Sequence, residues 1–148
     1  IPVGTAPVQV GFTPSGDQVY VSLRDENRVA VIDTSTRQVT NRIEVGPNPI
    51  QMFATADGAY VYVANQGTDA EPNNTVSVID TATGQVVKTL TTGGGAHGVS
   101  ASTDGAFVFV TNIADDTVSI IDVGSQEVVK TVPVGDRPNG IVYGGPAR

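Results

Sequence analysis

The chemistry open to this chain rests on few side chains. Its single histidine, His97, follows Gly93, Gly94 and Gly95 in the stretch TTGGGAHGVS. An imidazole beside an open glycine backbone is a group suited to contacting a ligand. One histidine without any cysteine, however, does not make a usual zinc site. The glycine run is not a phosphate cradle either, because neither Lys-Ser/Thr nor a helix follows it. Carboxylates gather at Asp25 and Glu26, at Asp69 and Glu71, and at Asp115 and Asp116. Such oxygens suit a hard cation or a basic partner, but the alternating Asp pattern of a calcium loop is missing. No Ser-His-Asp set has a spacing of known meaning, and no two carboxylates form a specific acid/base pair. These residues predict no catalytic group, no metal site and no resident cofactor.

The composition narrows the setting. The 148 residues are rich in Val and Ile, with 17 glycines, 9 prolines and no Cys or Trp. β-Branched strands cut by glycine turns fit this better than helices do. A net charge of −7, with no cluster of Lys and Arg, excludes nucleic acid as a partner class. No run is long enough to span a membrane, so membrane insertion is not expected. The acidic balance suits an extracellular, cell-surface or periplasmic protein.

The elements that must position these residues emerge from an internal repeat. Copies open at Gly4, Gly46, Gly93 and Gly135, at spacings of 42, 47 and 42 residues. This divides the chain into residues 3–44, 45–91 and 92–133, with the start of a fourth copy at 134–148. The middle copy carries five extra residues within 66–74. Gly16, Gly58 and Gly105 occupy one column, and Asp33, Asp80 and Asp122 another.

Each copy reads as four strands. A short strand follows the Pro7, Pro49 and Pro138 column, where the third copy has Ala96. A tight turn at Asp57-Gly58 or its equivalents leads to an alternating second strand. There Val61, Val63 and Asn65 take one face, and Tyr60, Tyr62 and Ala64 the other. The third strand ends at the repeated Asp, followed by a polar turn and a fourth strand. Four antiparallel strands every 42 or so residues describe an all-β architecture of β-propeller blades: three repeats and one extra strand.

The phrases YVAN (62–65) with NTVSVIDTATGQVVKTL (74–90), and FVTN (109–112) with DTVSIIDVGSQEVVKTVPVG (116–135), resemble the YVTN family of β-propeller repeats. The resemblance covers essentially the whole chain, although the first copy has Leu23 and Arg24 where Asn65 and Gln66 stand. It implies an exported or cell-surface protein whose blades form a rigid scaffold for protein or ligand binding. Similar blades occur in lactonase-like proteins, amine dehydrogenase subunits and haem d1 proteins, so part of an enzyme or cofactor-associated subunit is the alternative. Such propellers have seven or eight blades. The chain opens on Ile and is cut inside a repeat at both ends, so the remaining blades are expected from a longer chain or from a homo-oligomer.

On this frame His97 shares a column with Val8, Ile50 and Asn139, at the start of the innermost strand and one mouth of the channel. His97, Asn139 and the nearby Asn48 are the candidate ligand-binding residues. A structural role for His97, as a strand opening, is the competing reading. The carboxylate pairs fall in loops on one rim, where solvated hairpin tips also account for them. Asp33, Asp80 and Asp122 repeat in every copy and read as hairpin-closing groups. Asn65 and Asn112 read as partners of loop backbone. The insertion at 66–74 predicts an exposed loop, with Asp69, Glu71 and Asn73 as candidate partner contacts; Asn73-Asn74-Thr75 also has the form of a glycosylation acceptor.

Overall fold

The computed structural model describes residues 1–144. Twelve strands form three four-stranded antiparallel sheets in strict sequence order. The first sheet holds β1 (Pro7–Phe12), β2 (Gln18–Leu23), β3 (Arg28–Asp33) and β4 (Gln38–Glu44). The second holds β5 (Pro49–Ala54), β6 (Tyr60–Gly67), β7 (Pro72–Asp80) and β8 (Gln85–Thr91). The third holds β9 (Ala96–Ala101), β10 (Phe107–Asn112), β11 (Thr117–Asp122) and β12 (Glu127–Pro133). Their first strands, β1, β5 and β9, lie side by side. The result is an open arc of propeller blades.

Alternation in the second strands decides which sheet each face meets. Val61 and Val63 pack with Tyr20, Val29, Val31 and Met52 between the first two sheets. Tyr62 and Ala64, one residue out of step, pack with Val99, Val108, Val110 and Ile121 against the third. A third cluster, including Val19, Val21 and Leu23, lies on the other face of the first sheet. Burying each of these aliphatic side chains contributes about 1.5–3 kcal/mol, so the core is made between sheets. Burial also raises the Tyr62 hydroxyl to a pKa of about 12.

Polar groups join the sheets at three levels. In the core, Ser22 Oγ donates to the Ile50 carbonyl at 2.7 Å and accepts the Gln9 N–H at 3.1 Å. At the outer perimeter, Asn41 donates to the Gly84 carbonyl at 3.1 Å, and Lys88 to the Ser125 carbonyl at 3.4 Å. The third level, on the rim, bears on the candidate site.

Two sequence expectations change. Residues 66–74 are an exposed loop only at 68–71: β6 and β7 continue into the rest, pairing Gly67 with Pro72. The tip closes where Thr68 N–H donates to the Glu71 carbonyl and Thr68 Oγ1 accepts the Glu71 N–H, each at 3.0 Å. Residues 139–143 run beside β9 outside any ladder. They are held by the Tyr143 N–H on Ser100 Oγ at 3.0 Å and by a stack of Tyr143 on Phe109, centroids 5.9 Å apart. Residues 145–148 of the fourth copy lie outside the described residues.

Candidate functional site

His97 is the second residue of β9 and half-buried. Its Nδ1 is buried without a hydrogen-bond partner. Burial pushes the imidazole below its usual pKa, opposed by hydrogen bonding to the Asn139 backbone. The ring is therefore neutral near pH 7 and has one unused polar atom. Gly98 keeps the neighbouring backbone close: a Cβ there would stand 3.2 Å from Gly140 Cα. The structure thus brings His97 and Asn139 to one junction, between the third sheet and the segment after it. Asn48 stands at a different junction, between the first and second sheets.

That second junction shows what much of the acidic rim does. Asn27 and Asn48 both adopt left-handed conformations, with φ of 53° and 50°. The Asn48 N–H donates to Asn27 Oδ1 at 2.9 Å, while the Val45 N–H donates to the Asn27 carbonyl. One repeat pair later, the Arg137 N–H donates to Asp116 Oδ1 at 2.8 Å and the Val134 N–H to the Asp116 carbonyl. Each latch ties the hairpin between a blade's second and third strands to the opening of the next blade.

The adjacent acid column works within its own blade. Glu26 accepts the Thr5 N–H, and Asp115 accepts the Gly94 N–H at 2.7 Å. The second blade has Pro47 at the corresponding place, which has no N–H to offer. Across the boundary to the third blade, the Gly95 N–H goes to the Asn73 carbonyl, and the Thr92 N–H to that of Asn74. Glu26, Asp115 and Asp116 are thus backbone acceptors, a role that the sequence reading assigned to no member of this rim.

The repeated aspartates close hairpins. Asp33 accepts Ser35 Oγ and both the N–H and hydroxyl of Thr36, which lowers its pKa to about 2. Asp80 with Thr83, and Asp122 with Ser125, repeat the arrangement. Asn65 and Asn112 differ from expectation. Their Nδ2 groups donate not to loop backbone but to strand hydroxyls, Thr75 and Ser77 in one blade and Thr117 and Ser119 in the other.

The insertion hairpin leans beyond its own blade. Asp69 lies 3.6 Å from Arg137, both side chains being mostly exposed. Glu71 is exposed at the tip. The Asn73 side chain turns inward, where Oδ1 accepts the Thr75 N–H at 3.0 Å and its hydroxyl at 2.6 Å. Gly67, with φ of 71°, has no room for a side chain, since a Cβ would fall 2.4 Å from Asn73 N.

Among the described residues, no group of three or more His, Cys, Asp and Glu could hold a metal ion, and no helix is long and apolar enough to cross a membrane. A family model described as YNCE-like beta-propeller matches residues 1–145. No curated protein matches the chain. Among solved structures it is similar to the hydrazine synthase of Kuenenia stuttgartiensis, with a TM-score of 0.83 and 27% identity over 90% of this chain and 38% of that one. It is also similar to the dihydro-heme d1 dehydrogenase NirN in complex with DHE, with a TM-score of 0.77 and 20% identity over 95% of this chain and 31% of that one. The second likeness is one of fold alone. The chain spans well under half the length of either.

Proposed function

The chain belongs to the YNCE-like beta-propeller family, and we propose that it serves as a rigid, non-catalytic scaffold within an exported or cell-surface protein. The YVTN-like phrases support the surface-layer or secreted type, outside the cytoplasm. The proposed blades are residues 3–44, 45–91 and 92–133, with a fourth begun at 134; further blades come from a longer chain or from other copies. The partner is a protein or cell-surface component rather than nucleic acid, in keeping with the net charge of −7.

One observation carries this reading. The rim side chains of Glu26, Asn27, Asp115 and Asp116 are engaged in holding the blades, whereas the hairpin at 66–74 departs from the repeat and presents Asp69 and Glu71 outward. A rigid scaffold with one distinctive projecting element is built for display. The test is co-sedimentation of the chain with cell envelopes of its producing organism. Replacing both Asp69 and Glu71 by Ala is expected to abolish association without altering thermal stability. Equal association by this variant would overturn the role of the hairpin.

The second reading, part of a propeller enzyme or cofactor-associated subunit, is favoured by the unpartnered Nδ1 of His97. His97, Asn139 and Asn48 would then contact the ligand together with residues of other blades. Absorption and metal analysis of the purified protein discriminate between the two. A stoichiometric chromophore or metal that is lost in His97→Ala would replace the scaffold reading by this one.

A further inference from the structure

Asn139-Gly140 is the only Asn-Gly pair in the chain. An asparagine loses its side-chain amide when the backbone nitrogen of the next residue attacks its Cγ. Glycine in that next place favours the step, because no Cβ hinders the approach and its backbone bends freely into the five-membered ring. This reaction is one source of the thermal lability of asparagine.

Whether the pair reacts depends on how its backbone is held. Both residues are exposed and lie outside any strand or turn. The segment is tied on either side of them, by the Arg137 N–H on Asp116 Oδ1 and by the Tyr143 N–H on Ser100 Oγ. Between those ties no ladder fixes the Gly140 N–H. A Cβ on Gly140 would meet nothing within 4 Å, so the backbone is unconfined on that side.

The other asparagines are held against the same reaction. Asn48 precedes Pro49, which has no N–H to lose. Asn65 and Asn112 are fully buried within β6 and β10. Asn27 and Asn73 each have Oδ1 accepting a backbone N–H, and Asn41 donates to the Gly84 carbonyl. Asn74, within β7, is followed by the β-branched Thr75.

We propose that Asn139 is a site of spontaneous deamidation. The Gly140 nitrogen gives its proton to base and bonds to Asn139 Cγ. The Cγ–Nδ2 bond breaks, and Nδ2 takes a proton from water and leaves as ammonia. Water then opens the cyclic imide at either carbonyl, giving aspartate or, with the main chain rerouted through the former side chain, isoaspartate. The balance is one water consumed and one ammonia released, with no oxidant or cofactor. Either product puts a carboxylate in place of a neutral amide, taking the net charge from −7 to −8. The new charge falls on the residue whose backbone His97 contacts.

Peptide mass spectrometry of the 148-residue chain, aged in mildly alkaline buffer, tests this. Residue 139 is expected to convert to aspartate and isoaspartate before any other asparagine, at a rate within severalfold of that in the urea-unfolded chain. Gly140→Ala, whose added methyl has room in the fold, should slow the conversion at least tenfold. Asn139 that persists in the folded chain while converting in urea would overturn the proposal, because the fold would then protect the pair. So would earlier loss of another asparagine, or an equal rate in a Gly140→Ala chain that keeps the native far-ultraviolet circular dichroism.

Discussion

Asp116 Oδ1 receives the backbone N–H of Arg137, 21 residues downstream, at 2.8 Å. Asn27 does the same for Asn48, also 21 residues on, at 2.9 Å. An amide and a carboxylate are interchangeable here because only an acceptor oxygen at the hairpin turn is required. In the second blade the Asn73 carbonyl takes the corresponding Gly95 N–H, so an acceptor oxygen rather than a charge is what recurs.

Removal of the acceptor and removal of the charge should therefore differ. Asp116→Ala is expected to lower the unfolding free energy by about 1 kcal/mol, the net value of one such bond. Asp116→Asn should stay within about 0.5 kcal/mol of the parent. Urea denaturation measures both, and equal losses in the two variants would contradict the latch.

The opening glycines are set by packing. A Cβ on Gly93 would lie 2.8 Å from Asn112 Cγ, whereas one on Gly135, in the same column, would meet nothing within 4 Å. Gly93→Ala should cost about 1–3 kcal/mol, the usual penalty for overfilling a packed site. Gly135→Ala should be within about 0.5 kcal/mol of neutral. Paired thermal melts decide the matter, and similar shifts would show that the backbone rather than Asn112 sets the requirement.

Acid should act through the hairpin aspartates. Asp33 has its pKa lowered to about 2 by the Ser35 and Thr36 donors, and Asp80 and Asp122 are lowered by their own turns. A carboxylate depressed in the folded state adds stability that is complete above its ordinary value of 3.8 and disappears as pH falls through the folded value. Between pH 5 and pH 2, the protein should lose more stability than a variant with Asp33, Asp80 and Asp122 all changed to Asn. Parallel slopes of urea midpoint against pH would refute this.

His97 gives a second, higher window of the same sign. Its burial favours the neutral ring, so the unfolded chain takes up the proton first as pH falls below 6.5. Stability should decline from pH 6.5 toward the lower folded value, and His97→Gln should flatten that part of the profile. The ring-proton NMR titration midpoint should lie below 6.5; a midpoint at or above it would contradict the burial of the imidazole.

The blades were legible because their signals are local and redundant. The opposite fates of Val61 and Tyr62 follow from period-two alternation, and the Asp33 turn from its hydroxyl neighbours. The latches were not legible, because Asn27 with Asn48 is a pairing across a sheet boundary that no local pattern exposes. Read by composition, Asp115 and Asp116 formed an acid cluster, whereas their geometry makes them two separate backbone acceptors. The stretch at 66–74 misled in part for a related reason. Gly, Pro and Asn signal a loop, yet Pro72 stands at the first position of β7, a place that tolerates proline in a ladder.

The two side-chain latches each join a residue to one 21 positions further along the chain. The hairpin turn closes on its own backbone, but its Oδ1 acceptor finds its partner only in the next blade's opening. Closure of the rim therefore needs the opening of the next blade in place, so these acceptor oxygens are satisfied only across a blade boundary.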